Sequence, residues 1–439
     1  MNPFPLLSLV IMTMLYGECH GQSWLRSYDL GDYTTGHSVQ TLLYGGFIAS
    51  GTRENFGADK DAILIRTDSL GDTIWTRDYN FNNLYEEARS VLVTSDGGYL
   101  ICGVISTQGS GSLGNKSVLL IKTDDKGDTI WTKRYQDPNK SLLYRGYTVK
   151  PTADGGYVIC GEFDRVNSSR QALIIKIDSK GDTLWTGEYG GPLVDYATDV
   201  ITTDDGGYAF VGYSRSGNSS GKAFFVKVDS LGNIAWSKTH GNDPWTSYAN
   251  GVKQAPDGGY LICGRANHPV EKYNAFLLKT DYKGDTVWFQ AYGGLENDEA
   301  NDFTQTADGG YILCGYSRLP GETYVDLYLV KTDSLGSLEW EKTFGGNFSD
   351  FGSSIRATSD GGYIICGTFN DSSLPYRRLL LMKINRDGNI ISLIEPGKNP
   401  ATLVKTIDLR GLEIENPRPN QLVIRVYSDG TRIKEMILH

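Results

Sequence analysis

A Gly-Gly signature that returns seven times constrains this chain more than any bulk property. The stretch "TADGGYILCG" (306–315) has close copies in "TSDGGYLICG" from Thr94 and "TADGGYVICG" from Thr152. The glycine pairs begin at Gly45, Gly97, Gly155, Gly206, Gly258, Gly309 and Gly361, and from Gly155 onward they recur every 51 or 52 residues. A second element follows each pair, from "RTDSLGDTIW" and "KIDSKGDTLW" to a last, weaker copy, "KINRDGNIIS". A fixed period of this size implies a solenoid, a propeller or an array.

Each unit reads as four short strands. In the third unit they are "GYTVKPT", "GGYVICGEF", "ALIIKID" and "DTLWTGEY". Asp-Gly-Gly joins the first two, because a tight hairpin needs positive φ that glycine adopts without a Cβ clash. Asp-Ser-Lys-Gly joins the last two, its Asp placed to accept the turn's own amides. Short strands and frequent turns also suit a composition with 53 Gly, 27 Tyr and only 39% hydrophobic residues. No stretch carries a helical period. The expected fold is all-β: a seven-bladed β-propeller of four-stranded blades over residues 22–395.

The ends of the repeat suggest how the ring closes. The last unit has Ser392 where the others carry Trp75, Trp131, Trp185, Trp236, Trp288 and Trp340, while "QSWLRSYDLG" supplies an orphan Trp24. Residues 22–29 are expected to complete the last blade and cover its edge. The seven tryptophans are read as packing between blades. Cys102, Cys160, Cys263, Cys314 and Cys366 share one position of the second strand. Packed sheets lie about 10 Å apart, too far for a disulfide, so these thiols are expected to be reduced and buried.

The repeated "D-x-x-G-D-x-x-W" resembles the tryptophan-docking repeat of quinoprotein dehydrogenase propellers and, more loosely, the Asp-box of sialidases. In those families the element is structural, and it implies no activity. No catalytic set, cofactor or metal site is expected. Turn aspartates such as Asp178, Asp229 and Asp281 each offer two oxygens, whereas calcium takes six to eight.

Function should lie where the units differ. The two short turns barely vary and belong on one face. The loops between strands two and three, and those into the next blade, vary in length and belong on the other. Tyr85, Tyr144, Tyr196, Trp245, Tyr248 and Phe351 are expected around the mouth of the central channel, with Glu87, Asp195, Asp298, Glu299 and Asp350 beside them. Aromatic rings next to carboxylates suit a sugar or a peptide.

The termini speak of export. Residues 6–16, "LLSLVIMTMLY", are too short to span a bilayer but fit the apolar core of a signal peptide over 1–21, with small residues before a cut after Gly21. No other run is long enough for a membrane span. From residue 396 the period stops, and seven basic residues face five acidic ones in a chain of net charge −10. That overall charge argues against nucleic acid as a partner. Segment 396–439 reads as a strand, a Pro-containing loop and a hairpin turning at Ser428-Asp429-Gly430. It resembles the short form of the type A C-terminal sorting domain of the Bacteroidetes type IX secretion system. The residues that carry the likeness are Leu403-Val404-Lys405, the Asp408–Gly411 turn, Arg425 to Thr431 with Tyr427, Asp429 and Gly430, and the end through Lys434. In place of the family's usual Arg after the glycine stands Leu412. The resemblance implies passage through the periplasm to the outer-membrane surface or medium of a Gram-negative bacterium, with the secretion machinery as partner. The sequence thus reads as a secreted or surface binding module for a glycan or protein. A polysaccharide hydrolase or lyase using carboxylates at the channel mouth, and a structural surface-layer component, are the alternatives.

Overall fold

The computed structural model describes residues 23–390 except for short stretches (32, 55–59, 82–83, 108–115, 137–142, 165–168, 218–219, 242–245, 268–271, 347 and 371–375), then 403–407, 413–414, 421–427 and 432–437. The expected signal peptide and Trp245 lie outside the described residues, as do Asp408, Gly411, Asp429 and Gly430. Every regular element described is a β-strand.

Three sheets of four antiparallel strands run in simple chain order, over 143–189, 195–240 and 247–292. A fourth adds Trp24–Tyr28 to three late strands. There Trp24 lies opposite Lys383 and Tyr28 opposite Leu379, so the N-terminal strand occupies the edge that the sequence left open. An eight-stranded sheet consists of two such antiparallel groups, 33–79 and 85–135, joined by a single parallel bridge between Lys60 and Tyr85. The last sheet has seven strands: the group 298–345 plus Leu403–Ile407, Gln421–Tyr427 and Arg432–Ile437. Tyr427 and Lys434 fall in the latter two strands. This C-terminal trio joins the edge of Leu338–Gly345 through the pairs Phe344–Ile433 and Gly345–Arg432. The first strands of successive groups touch in chain order, and Phe351–Ala357 touches Tyr33–Thr41, so the contacts run in a circle. Repeated four-stranded antiparallel sheets arranged this way are β-propeller-like.

The repeat motif explains both turns. In "TADGG" the Asp154 carboxylate accepts the Thr152 hydroxyl, the Gly156 amide and the ammonium of Lys176 from strand three. Lys176 and Thr152 hold Asp154 down at about 2. Gly155 has φ of 79°, and a Cβ on Gly156 would stand 2.2 Å from the Ile177 carbonyl oxygen. The same lysine-to-aspartate bond recurs at Lys122–Asp96, Lys227–Asp205 and Lys279–Asp257. In the second turn, Asp178 accepts the amides of Lys180 and Asp182 at 2.9 and 2.8 Å.

The tryptophans do their work across groups. Six are half-buried and only Trp24, at 8% exposure, is buried, so they are rim contacts rather than core. Each indole lies against the positive-φ glycine of the next group's second turn: Trp24 on Gly71, Trp75 on Gly127, and onward to Trp340 on Gly388. Two further bonds run beside it. Tyr79 donates its hydroxyl to the Gly127 carbonyl at 2.8 Å, and Tyr28, Tyr135, Tyr189 and Tyr292 repeat the latch. Lys133 reaches Asp182 at 2.7 Å and Lys238 reaches Asp285 at 2.6 Å. The apolar core lies between sheets. Each cluster draws on two successive groups, and one joins Ile364 and Leu381 to Val39 and Ile63, the last group to the first. Cys102, Cys160, Cys263, Cys314 and Cys366 are buried there as free thiols, and burial pushes their ionisation up.

Candidate functional site

The first strands face the common centre, and each carries one irregularity. Pairing with the second strand skips a residue between Gly36 and Ser38, between Ala88 and Ser90, and at the same register in every other group. A β-bulge of this kind re-aims a side chain. The skipped residues are His37, Arg89, Tyr147, Thr198, Asn250, Asn301 and Ser353, and all of them line one central cavity of about 450 Å³. A glycine seats each bulge. A Cβ on Gly103 would stand 1.7 Å from the Glu87 carbonyl oxygen, and one on Gly315 would stand 1.8 Å from that of Glu299. This is the glycine of the recurrent "ICG", which makes no turn.

Charges in the cavity are mostly paired. Arg89 meets Glu87 at 2.7 Å, Lys150 meets Asp199 at 3.4 Å, and Arg356 meets Asp302 at 2.5 Å. Burial opposes ionisation of Glu87 and Asp302, yet the adjacent Arg89 and Arg356 hold both carboxyls below their ordinary range. His37 faces the hydroxyls of Thr35 and Thr52 at 3.2 Å. Burial, reinforced by Arg89, pulls its titration down to about 4. A smaller cavity of about 210 Å³ shares His37 and Arg89 and adds Glu54, Lys60 and Glu87.

An aromatic arc stands two residues before the bulges. Tyr213 stacks on Tyr248 at 4.4 Å and 8°, with Tyr196 beyond it at 5.4 Å. The Arg265 guanidinium lies 4.4 Å over Tyr248 and bonds Glu299 at 2.9 Å. Glu299 also accepts the Tyr316 hydroxyl at 2.6 Å and the Asn250 amide at 2.7 Å. Tyr316 in turn contacts Phe351. Such a rim offers flat apolar faces beside fixed donors and acceptors.

A solved structure shares the fold of this chain. A puromycin hydrolase is 12% identical, with a TM-score of 0.51 over 89% of this chain and 58% of that one. The likeness is one of fold: β-propeller-like. A Bacteroides caccae protein of unknown function (14% identity, TM-score 0.36, 58% of this chain and 81% of that one) and the Hadza microbial sialidase Hz136 (12%, 0.42, 70% and 64%) match more loosely. No protein-family model and no curated protein matches the chain.

The residues expected at the mouth divide by strand alternation. Tyr196, Tyr248, Glu87, Glu299 and Phe351 share the register two before the bulge. Tyr196 lines the central cavity and Glu87 the smaller one. One residue earlier, the side chain turns to the opposite side. Asp195, Asp298 and Asp350 therefore have no exposure, and they accept the loop amides of Gly191, Gly294 and Gly346. They hold the inter-group loops and are not presented to a ligand. Tyr144 shares that register, is buried, and packs on Phe163. Tyr85 is half-buried at the start of its strand. The sequence reading missed the bulge residues and the cations below them, Lys150, Lys253 and Arg356. Their signal was the turnless glycine of "ICG".

Proposed function

We propose that this protein is a seven-bladed propeller, secreted or held at the cell surface, that binds a glycan at the bulge-lined channel. The circular contacts of the first strands, and the division of the eight-stranded sheet at one bridge, support the count of seven. Residues 22–395 form the propeller in this reading, and 1–21 and 396–439 serve export by the type IX route. One observation carries the binding role: a single backbone irregularity recurs at one register and delivers His, Arg, Tyr, Thr, Asn, Asn and Ser to the same cavity. Packing alone would favour one side chain at equivalent sites, and a binding surface needs different ones. The carboxylates Glu87 and Asp302 each face an arginine and stay ionised, which suits hydrogen bonding to hydroxyls better than acid catalysis.

A glycan array probed with the mature chain and with Tyr248→Ala tests this. Retained glycans should lose at least tenfold in affinity with the variant and be recovered uncleaved. Cleaved products, or binding indifferent to Tyr248, would contradict the reading.

A further inference from the structure

Three residues beyond the bulge, alternate strands carry a cation, Lys150, Lys253 and Arg356, the first and last of them on the wall of the central cavity. The strands between them carry Asp199 and Asp302, one residue after their bulges. Both acids are already engaged. Asp199 accepts the Val252 amide at 3.1 Å and pairs with Lys150. Asp302 accepts the amides of Ile355 and Phe303 at 3.1 and 2.8 Å and pairs with Arg356. Lys253 has no hydrogen-bond or ion-pair partner among the described residues. Its ammonium lies 5.1 Å from the centroid of the Phe303 ring. These five groups sum to one positive charge, and a half-buried charge without a partner is costly.

We infer that the channel floor is an oxyanion site that takes the carboxylate or sulfate of an acidic sugar, with Lys253 as its central donor. The inference rests on the glycan reading for the sugar and on the charge arrangement for the anion. Ser38 and Ser90 face the central cavity, beside Lys150 and Arg356, from strands that bring no acid at this level. Burial, with Arg356 and Lys150 adding to it against the pull of Asp302 and Asp199, brings the ammonium down to about 8. A bound anion supplies the missing countercharge and returns the lysine to its protonated form. Anion affinity should therefore fall about tenfold per pH unit above pH 8.

Calorimetry on the full chain with D-glucuronate, D-glucose and sodium sulfate tests the site, using wild type and Lys253→Met. The variant removes an unpaired charge, and a thermal melt checks that it folds. Glucuronate should bind wild type at least tenfold more tightly than glucose, with proton uptake near pH 8, and the preference should vanish in Lys253→Met. Equal affinity for the two sugars overturns the anion site and leaves the glycan reading standing. Sulfate binding that Lys253→Met abolishes, without binding of either sugar, supports the anion site and retires the glycan reading. Failure of both glucuronate and sulfate to bind overturns the site.

Discussion

The turn layer and the bulge ring are equally regular in backbone and opposite in side-chain content. At the turns, the same Thr, Asp, Gly, Lys and Trp recur because each touches something specific: an amide, a carbonyl, the next group's glycine. At the bulges, the backbone is held by "ICG" glycines from behind while the side chain is left to vary. Conformational constraint fixes residue type in one region and only placement in the other.

The largest effects should fall on the turns. Gly310→Ala would set a Cβ 2.1 Å from the Thr332 carbonyl oxygen. Forcing that backbone apart should cost about 3 kcal/mol, read by urea denaturation. Next comes Trp236→Ala, which uncovers Gly284. Because this indole is half-buried, the loss should be about 3 kcal/mol, the lower end for such truncations. An unchanged melt for either variant would break the comparison.

One exception within the turn layer sharpens it. His240 stands where five other groups place a latching tyrosine, and its Nε2 has no hydrogen-bond partner among the described residues. It borders a cavity of about 440 Å³. Burial, then Lys238, draws its titration down to about 4. The unfolded chain binds this proton near pH 6.5 and the folded chain only near 4. The stability tied to the neutral imidazole is therefore complete above about pH 6.5 and drains away as pH falls toward 4. His240→Tyr should restore the latch to Gly284, add about 1 kcal/mol, and flatten the acid side of the stability–pH curve. His37, lowered to the same value, contributes drift of the same sign that the variant leaves in place.

The smallest effect belongs to the bulge ring. Ser353→Asn installs a residue found at two equivalent positions, and should change stability by less than about 0.5 kcal/mol while altering the glycan profile. A loss comparable to that of Gly310→Ala would mean that the ring is structural after all.

Much of the fold was legible because turns write themselves into sequence. Asp-Gly-Gly and Asp-x-x-Gly each demand φ or proximity that other residues resist, so the repeated four-strand antiparallel order followed. Trp24 was legible as the partner of a repeat lacking its own Trp. The lysine-to-aspartate bonds and the Tyr latch were not, since a recurrent Lys or Tyr in a strand gives no sign of its partner across a turn or a sheet boundary. The site was half legible. Tyr196 and Tyr248 were placed by their loops, but Asp195 and Asp298 sit one residue away and face the other side. Only the register shift decides which of two adjacent residues looks into the channel.

All of this requires a closed ring, and the pairing of Trp24–Tyr28 with Arg378–Ile384 is where it closes. Hydrogen exchange of the full chain, resolved to these two segments by mass spectrometry, tests that pairing directly. Amides of residues 24–28 that are protected to the same degree as those of 378–384 are the predicted result. Exchange of 24–28 at the rate of an unstructured peptide, with 378–384 protected, would mean that the ring is open and that the channel described here does not exist.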